Sequence, residues 1–287
     1  MERPPVNPYL ILIVSIIAVS TASILIRLSA SPPMIIAAYR LLFATLMLTP
    51  LYIAEGGPRR LMALGPRRLL TLIAVGLILA VHFASWITSL SYTTVASSVI
   101  FVHMDPIIVA LLSHLLLGER LGVKRFIGVL IAFLGTIIIG WGDLRIGNLY
   151  GDLLSLLGAV AFALYLVAGR SLRRSLSLLE YVTPLYATSA ALLILGCLIM
   201  NIRLYPYPIR EYLLFLLIAF IPMILGHTLF NWALRYVEAP VVSVSLLGEP
   251  IGASLLALII LGELPPATTI LGGAITLLGI YITSSRE

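Results

Sequence analysis

Apolar residues run along this chain in blocks of about twenty, parted by short polar stretches. A helix needs roughly 20 apolar residues to cross the hydrocarbon core of a bilayer. Ten blocks meet that length, at 9–28, 34–54, 68–89, 94–117, 123–141, 150–170, 178–200, 211–232, 239–261 and 267–284. The blocks also repeat one another. After 144 residues Asp105-Pro106 returns as Glu249-Pro250, Gly118-Glu119 as Gly262-Glu263, and Ser89-Leu90-Ser91-Tyr92 as Ala233-Leu234-Arg235-Tyr236. The same offset carries Gly128 and Gly135 onto Gly272 and Gly279. Such agreement at one offset implies an internal duplication, with units at residues 1–144 and 145–287. Five spans are an odd number, so the second unit must enter the membrane in the opposite sense from the first. The pattern thus predicts an all-α integral membrane protein of ten transmembrane helices, arranged as two inverted-topology five-helix repeats. Repeats of this kind can exchange conformations and place a substrate site at their interface.

Composition agrees with that reading. The chain is 61% hydrophobic and 10% charged, against about 25% charged for ordinary soluble domains. The formal net charge of +6 resides largely in short connections, where basic residues set topology and meet anionic headgroups, and it calls for no nucleic acid. Thirteen of the eighteen Lys and Arg fall on one side of the predicted topology: Arg3, Arg59, Arg60, Arg67, Arg68, Arg120, Lys124, Arg125, Arg170, Arg173, Arg174, Arg235 and Arg286. Arg27, Arg40, Arg145, Arg203 and Arg210 fall on the other. The positive-inside rule then puts both termini in the cytoplasm, in the cytoplasmic membrane of a prokaryotic cell. The first block is read as an uncleaved span rather than a signal peptide, because its removal would leave the first unit with four helices. Cys197 is single, so it forms no intramolecular disulfide.

Polar residues inside the apolar blocks are the candidates for function. Asp105 and Glu249 lie near the middle of the fourth and ninth spans, each directly before a proline. Proline lacks a backbone donor and crowds the carbonyl four residues earlier, so Pro106 and Pro250 are expected to kink their helices and free the carbonyls of Val102 and Leu246. A carboxylate beside a freed carbonyl makes a polar spot at midplane depth. The alternative is a pair of kinks whose acids bond across the bundle for packing. In the third span His82, Ser85, Ser89 and Tyr92 follow helical spacing and form one stripe. In the eighth, His227 and Asn231 share a face, although His82 falls under the offset on Gly226 rather than His227. Arg40, near the start of the second span, either snorkels to the external surface or attracts an anionic group at the outer mouth. Trp86, Tyr165 and Tyr181 are candidate aromatic walls or interface anchors. Glu180 is read as a solvated acid at a loop edge. His103 and His114 stand three turns apart, too far for one metal, and no cluster has metal-ligand spacing. The glycines of the fifth and tenth blocks follow no strand, so they suit helix contact rather than a nucleotide loop.

These residues resemble the drug/metabolite transporter superfamily, specifically its EamA-type ten-helix members. The resemblance rests on Arg40, Ser89-Leu90-Ser91-Tyr92 through Val95-Ala96-Ser97, Pro106, Leu115-Leu116-Leu117-Gly118-Glu119-Arg120, Asn231-Trp232-Ala233-Leu234-Arg235-Tyr236, Glu249-Pro250 and Leu261-Gly262-Glu263. It covers essentially the whole chain. It implies a central cavity lined by the first, third, fourth, sixth, eighth and ninth spans, and structural turns at Gly118-Glu119 and Gly262-Glu263. Many relatives carry no acid at the position of Asp105. The family moves amino acids, nucleotide sugars, purines, vitamins and amphiphiles, and the resemblance implies neither an enzyme nor an ATPase subunit.

The expected function is therefore a secondary active transporter working by alternating access, an exporter of small organic metabolites such as amino acids. Its partners would be a small organic solute and membrane lipid, with no cofactor and possible coupling to protons through Asp105 and Glu249. The substrate pathway is expected to comprise Asp105, Glu249, His82, Trp86, Tyr165, His227, Asn231 and Arg40. An integral-membrane enzyme acting on lipid is the alternative, and it would want its residues gathered at one membrane face. A scaffold or sensor would leave the duplication and the midplane acids without a purpose.

Overall fold

Helices begin where the sequence supplies a cap or a proline. In the computed structural model, which describes residues 4–93, 95–119, 121–141, 149–261, 264 and 267–285, the Asn7 side chain accepts from the Tyr9 N–H at 3.0 Å and Pro8 opens α1 (Pro8–Leu28). Pro33 likewise opens α2 (Pro33–Ala54), since proline's missing donor is not needed in a first turn. There follow a short α3 (Gly57–Ala63), α4 (Gly65–Ser89), α5 (Val95–Val102), α6 (Asp105–Leu112) with a π-helical continuation over Ser113–Leu117, and α7 (Val123–Gly140). The rest comprises α8 (Leu149–Leu172), α9 (Leu178–Ile199), α10 (Ile209–Ala233), α11 (Ala239–Leu246), α12 (Glu249–Leu261) and α13 (Ala267–Ser284). Among the described residues nine helices are long and apolar enough to cross a membrane. At the place of the predicted fifth span stands α7, 18 residues long. The join between the predicted units, including Arg145, and the turn at Gly262-Glu263 lie outside the described residues, as do Arg3, Arg120 and Arg286.

At the expected kinks the helical pattern is interrupted just ahead of Pro106 and Pro250, within spans that run from Ile100 to Leu117 and from Ala239 to Leu256. The helix stops at Val102, turns through His103 and Met104, and restarts at Asp105. Ile107 N–H bonds back to the Met104 carbonyl at 3.2 Å. Across the cavity from it α11 ends at Leu246 and α12 restarts at Glu249, with Gly252 N–H on the Gly248 carbonyl at 3.0 Å. A proline disfavours helical backbone in the residue before it, and restarting the helix puts Pro106 and Pro250 in a first turn, where no backbone bond is lost. Each acid thus becomes the first residue of a half-helix, at the positive end of its dipole.

Packing depends on small residues. A Cβ added at Gly128 would stand 2.5 Å from Thr283 Oγ1, and one at Gly272 would stand 2.6 Å from the Gly135 carbonyl oxygen, so α7 and α13 meet backbone to backbone. Thr276 and Thr283 donate across that seam to Ala132 O at 3.4 Å and Arg125 O at 3.3 Å. Close approach of this kind replaces the hydrophobic drive that lipid surroundings remove. Ser15 Oγ donates to Gly226 O at 2.9 Å, and Arg210 Nη2 donates to Leu28 O at 2.8 Å. These two bonds set α1 antiparallel to α10 and bring the start of α1 to the end of the bundle that also holds the close of α13. The main core packs α1, α2, α4, α8, α9 and α10 through residues such as Leu41, Phe83, Leu166, Leu185 and Phe230. Large apolar side chains such as Leu10, Ile17, Leu51, Leu115 and Tyr281 face outward, as a lipid-facing surface requires.

The end that carries the start of α1 and the close of α13 also holds ion pairs. Glu180 is corrected from a solvated acid to a capping-box partner of Ser177 that bonds Arg60 Nη1 at 3.2 Å. Arg125 Nη1 meets Glu238 at 2.7 Å.

Candidate functional site

The two helix breaks face one cavity. It is lined by Val19 and Ala22 of α1, Arg40 of α2, His82 and Trp86 of α4, Val102, His103 and Asp105 at the first break, Phe162 of α8, His227 and Phe230 of α10, and Leu246 and Glu249 at the second break. It leaves ≈ 50 Å³ of room for the centres of water molecules, and one ordered water needs roughly 10–15 Å³ on that measure. A polar cavity of this size holds several waters or part of a small solute.

Arg40 is buried, at 1% exposure, so the snorkelling expectation fails. Its guanidinium sits 4.5 Å above the Phe83 ring. Nε reaches Met223 Sδ at 3.4 Å and Nη2 reaches the Pro222 carbonyl at 3.5 Å, while Nη1 is buried without a partner. Two weak bonds and one cation–π contact, worth about 2 kcal/mol when desolvated, are little against the several kcal/mol that burying an ion costs. Nη1 is thus a buried donor with no hydrogen-bond partner among the described residues.

Opposite charge is close by. Asp105, 2% exposed, accepts from Ser243 Oγ of α11 through one carboxylate oxygen, and its other oxygen stands 3.9 Å from His103 Nδ1. Adjacent turns of a regular helix would set His103 and Asp105 on different faces, but the break at Met104 brings both to the cavity. Glu249 reaches it from the second break, and its own carbonyl accepts from Ser20 Oγ at 3.2 Å. His82 Nδ1 donates to Gly158 O at 2.9 Å, because a carbonyl can only accept. In the neutral ring Nε2 is then an acceptor. Trp86 stacks on His82 with centroids 6.0 Å apart, and its Nε1–H has no partner. His227 Nδ1 is likewise unpartnered, against Phe83 and Phe230 at 5.3 and 4.8 Å.

Six of the eight predicted pathway residues therefore line one cavity: Asp105, Glu249, His82, Trp86, His227 and Arg40. Tyr165 and Asn231 do not. They lie behind it, bonded to each other at 2.5 Å, with Asn231 Nδ2 also on His227 O at 2.6 Å. Tyr181 is fully buried and no wall of the cavity. The predicted stripe on α4 divides: His82 lines the cavity, Ser85 bonds back to Val81 O at 2.7 Å, Ser89 meets Ser98 at 2.6 Å, and Tyr92 turns outward against Tyr150. His114 faces outward, away from His103. His82 and His227 reach the same cavity despite their mismatch under the repeat, because Ala219–Thr228 winds as a π-helix, whose wider turns shift the face that each residue presents. Phe162 and Phe230 gave no signal as apolar residues in apolar helices. The cavity also takes in the second span, through Arg40, beyond the six that the resemblance implied. Among the described residues no three His, Cys, Asp or Glu are grouped as metal ligands.

A solved crystal structure superposes with a TM-score of 0.83 over 96% of both chains at 19% identity, which shows the fold alone. An uncharacterized transporter of Archaeoglobus fulgidus is 31% identical over 200 residues, 66% of this chain and 67% of its own length. A second from that organism is 24% identical over 273 residues, 94% of each chain, and the uncharacterized transporter YyaM of Bacillus subtilis is 23% identical over 208 residues, 70% of this chain and 68% of its own. The EamA-like transporter family matches twice, over residues 7–141 and 149–285. Members of this family move small molecules across membranes and are not enzymes, which sets the lipid-modifying reading aside. With nearly its whole length matched, this multi-spanning membrane protein belongs to the EamA-like transporter family.

Proposed function

We propose that the chain is a secondary active exporter of small amphoteric metabolites such as amino acids, working by alternating access between two inverted five-helix repeats, residues 1–144 and 145–287. The observation that carries this reading is the pairing of unpartnered donors with acids in one cavity. Arg40 Nη1 and Trp86 Nε1, joined by His227 Nδ1 in the tautomer that carries its proton there, offer a place for a carboxylate. Asp105 and Glu249 offer one for an ammonium group. Phe162, Phe230 and Trp86 supply walls for an apolar side chain. The two family matches of similar length support the duplication, and α7 supplies the tenth span. Both termini are read as cytoplasmic, in the plasma membrane, because the positive-inside rule puts the connections that carry Arg59, Arg60, Arg67, Arg68, Arg173 and Arg174 on that side.

Counterflow in sealed proteoliposomes tests the substrate class. A labelled zwitterionic amino acid is expected to exchange at least tenfold faster than analogues that lack either the amino or the carboxyl group. Arg40→Met should abolish that preference and lower the melting temperature, because it removes one member of a buried charge group and leaves Glu249 without its cationic neighbour. Equal exchange of all three solutes would rule out an amphoteric site.

A further inference from the structure

One carboxylate of the first half gathers three donors of the second. Glu119, held out by the left-handed turn at Gly118 (φ 66°), accepts from Arg170 Nε at 2.7 Å and Arg174 Nη2 at 2.8 Å through Oε1, and from the Ala239 N–H at 3.3 Å through Oε2. Arg170, 2% exposed, also donates from Nη1 to Leu234 O at 2.8 Å and Arg235 O at 3.0 Å. This is no ordinary surface pair. It joins the turn before α7 to the end of α8 and the first residue of α11, at the end of the bundle that bears the start of α1 and the close of α13.

Polar atoms continue from that point to the cavity. Arg173, also buried, donates from Nε to Asn231 O at 3.1 Å. Tyr181 Oη and Asn231 Oδ1 are buried without a partner. Both converge on Gly169, where an added Cβ would stand 3.0 Å from the first and 3.4 Å from the second. Asn231 then reaches His227 O at 2.6 Å, and His227 lines the cavity. Buried polar atoms without partners are rare in native structures and each calls for an explanation. A column of them between a water-sized cavity and a cluster of ion pairs is explained if the column is wet in another state.

We infer that Glu119 is the latch of a closed gate, and that the Tyr181, Asn231 and Gly169 column is the shut half of the transport pathway, which fills with water and solute when the latch releases. The inference rests on alternating access as proposed above. A small residue at 169 leaves room for that opening, and three helices meet there: α8 through Gly169, α9 through Tyr181 and α10 through Asn231.

Thiol labelling tests the latch without any substrate, so the gate can fail while amino-acid counterflow holds, and the reverse. Asn231→Cys in a Cys197→Ala background serves as the reporter, treated with a membrane-impermeant maleimide in vesicles of either orientation. Arg60→Cys marks the latch face. Adding Glu119→Gln, which keeps size and loses charge, should speed labelling at least tenfold from the Arg60 face alone. Glu180→Gln, which breaks the Arg60 pair at the same end, should leave the rate unchanged. An unchanged rate in Glu119→Gln overturns the latch. So does faster labelling from both faces, which would make Glu119 a prop of the fold, and so does an equal gain in Glu180→Gln, which would mean that any lost ion pair loosens that end.

Discussion

Asp105 and Glu249 occupy matching places, each the first residue of a half-helix and each followed by proline, yet their surroundings differ. Asp105 is held by Ser243 and faces His103, whereas Glu249 shares the cavity with Arg40. His82 and His227 complete the titratable groups around them. Two acids so differently partnered need not act alike, and a cycle that moves them between cavity water and packed helix can load and release a proton. Asp105→Asn and Glu249→Gln keep size and remove titration. At least one of them is expected to lose the response of solute flux to an imposed pH gradient while counterflow persists. Wild-type flux that ignores the gradient, with normal turnover in both variants, would leave the acids structural. These residues were legible in the sequence because a carboxylate costs so much in an apolar block that it rarely stands there without a use. Tyr165 and Asn231 carried the same polar signal, but one helical turn of depth separates lining from backing, and spacing alone does not register that difference.

At the level of helices, the blocks of apolar residues predicted most of the elements to within a few residues, because span length is imposed by the bilayer. The proline positions were legible and their consequence was not. A kink and a break share the same sequence, and the choice depends on whether the helix can restart. Here Met104 and Gly248 let it do so. Alanine at 106 or 250 removes the restriction on the preceding acid and permits one continuous helix through the cavity. Transport by Pro106→Ala and Pro250→Ala is expected to fall several-fold, with a modest fall in melting temperature, since both prolines are buried and alanine removes only part of each ring's contacts. Normal exchange by both would mean that the breaks are incidental. The π-helical stretch over Ala219–Thr228 had no legible signature, and it is the reason that a linear offset misjudged the two histidines.

For the molecule as a whole, the charge pattern predicts which side faces the cytoplasm. Single cysteines in a Cys197→Ala background check it. Arg60→Cys and Arg174→Cys should react with impermeant reagent only in inverted vesicles, and Arg203→Cys only in intact cells. Labelling of Arg60→Cys from outside would reverse the orientation. Along α7 and α13 glycine meets backbone in both directions, with Thr276 and Thr283 bonded across. Two rods in such contact lose their close backbone packing and both threonine bonds if they slide or part. Under the alternating access proposed above, this seam is expected to keep its packing while the helices around the cavity move: a fixed axis at the rim of a machine whose working parts lie elsewhere.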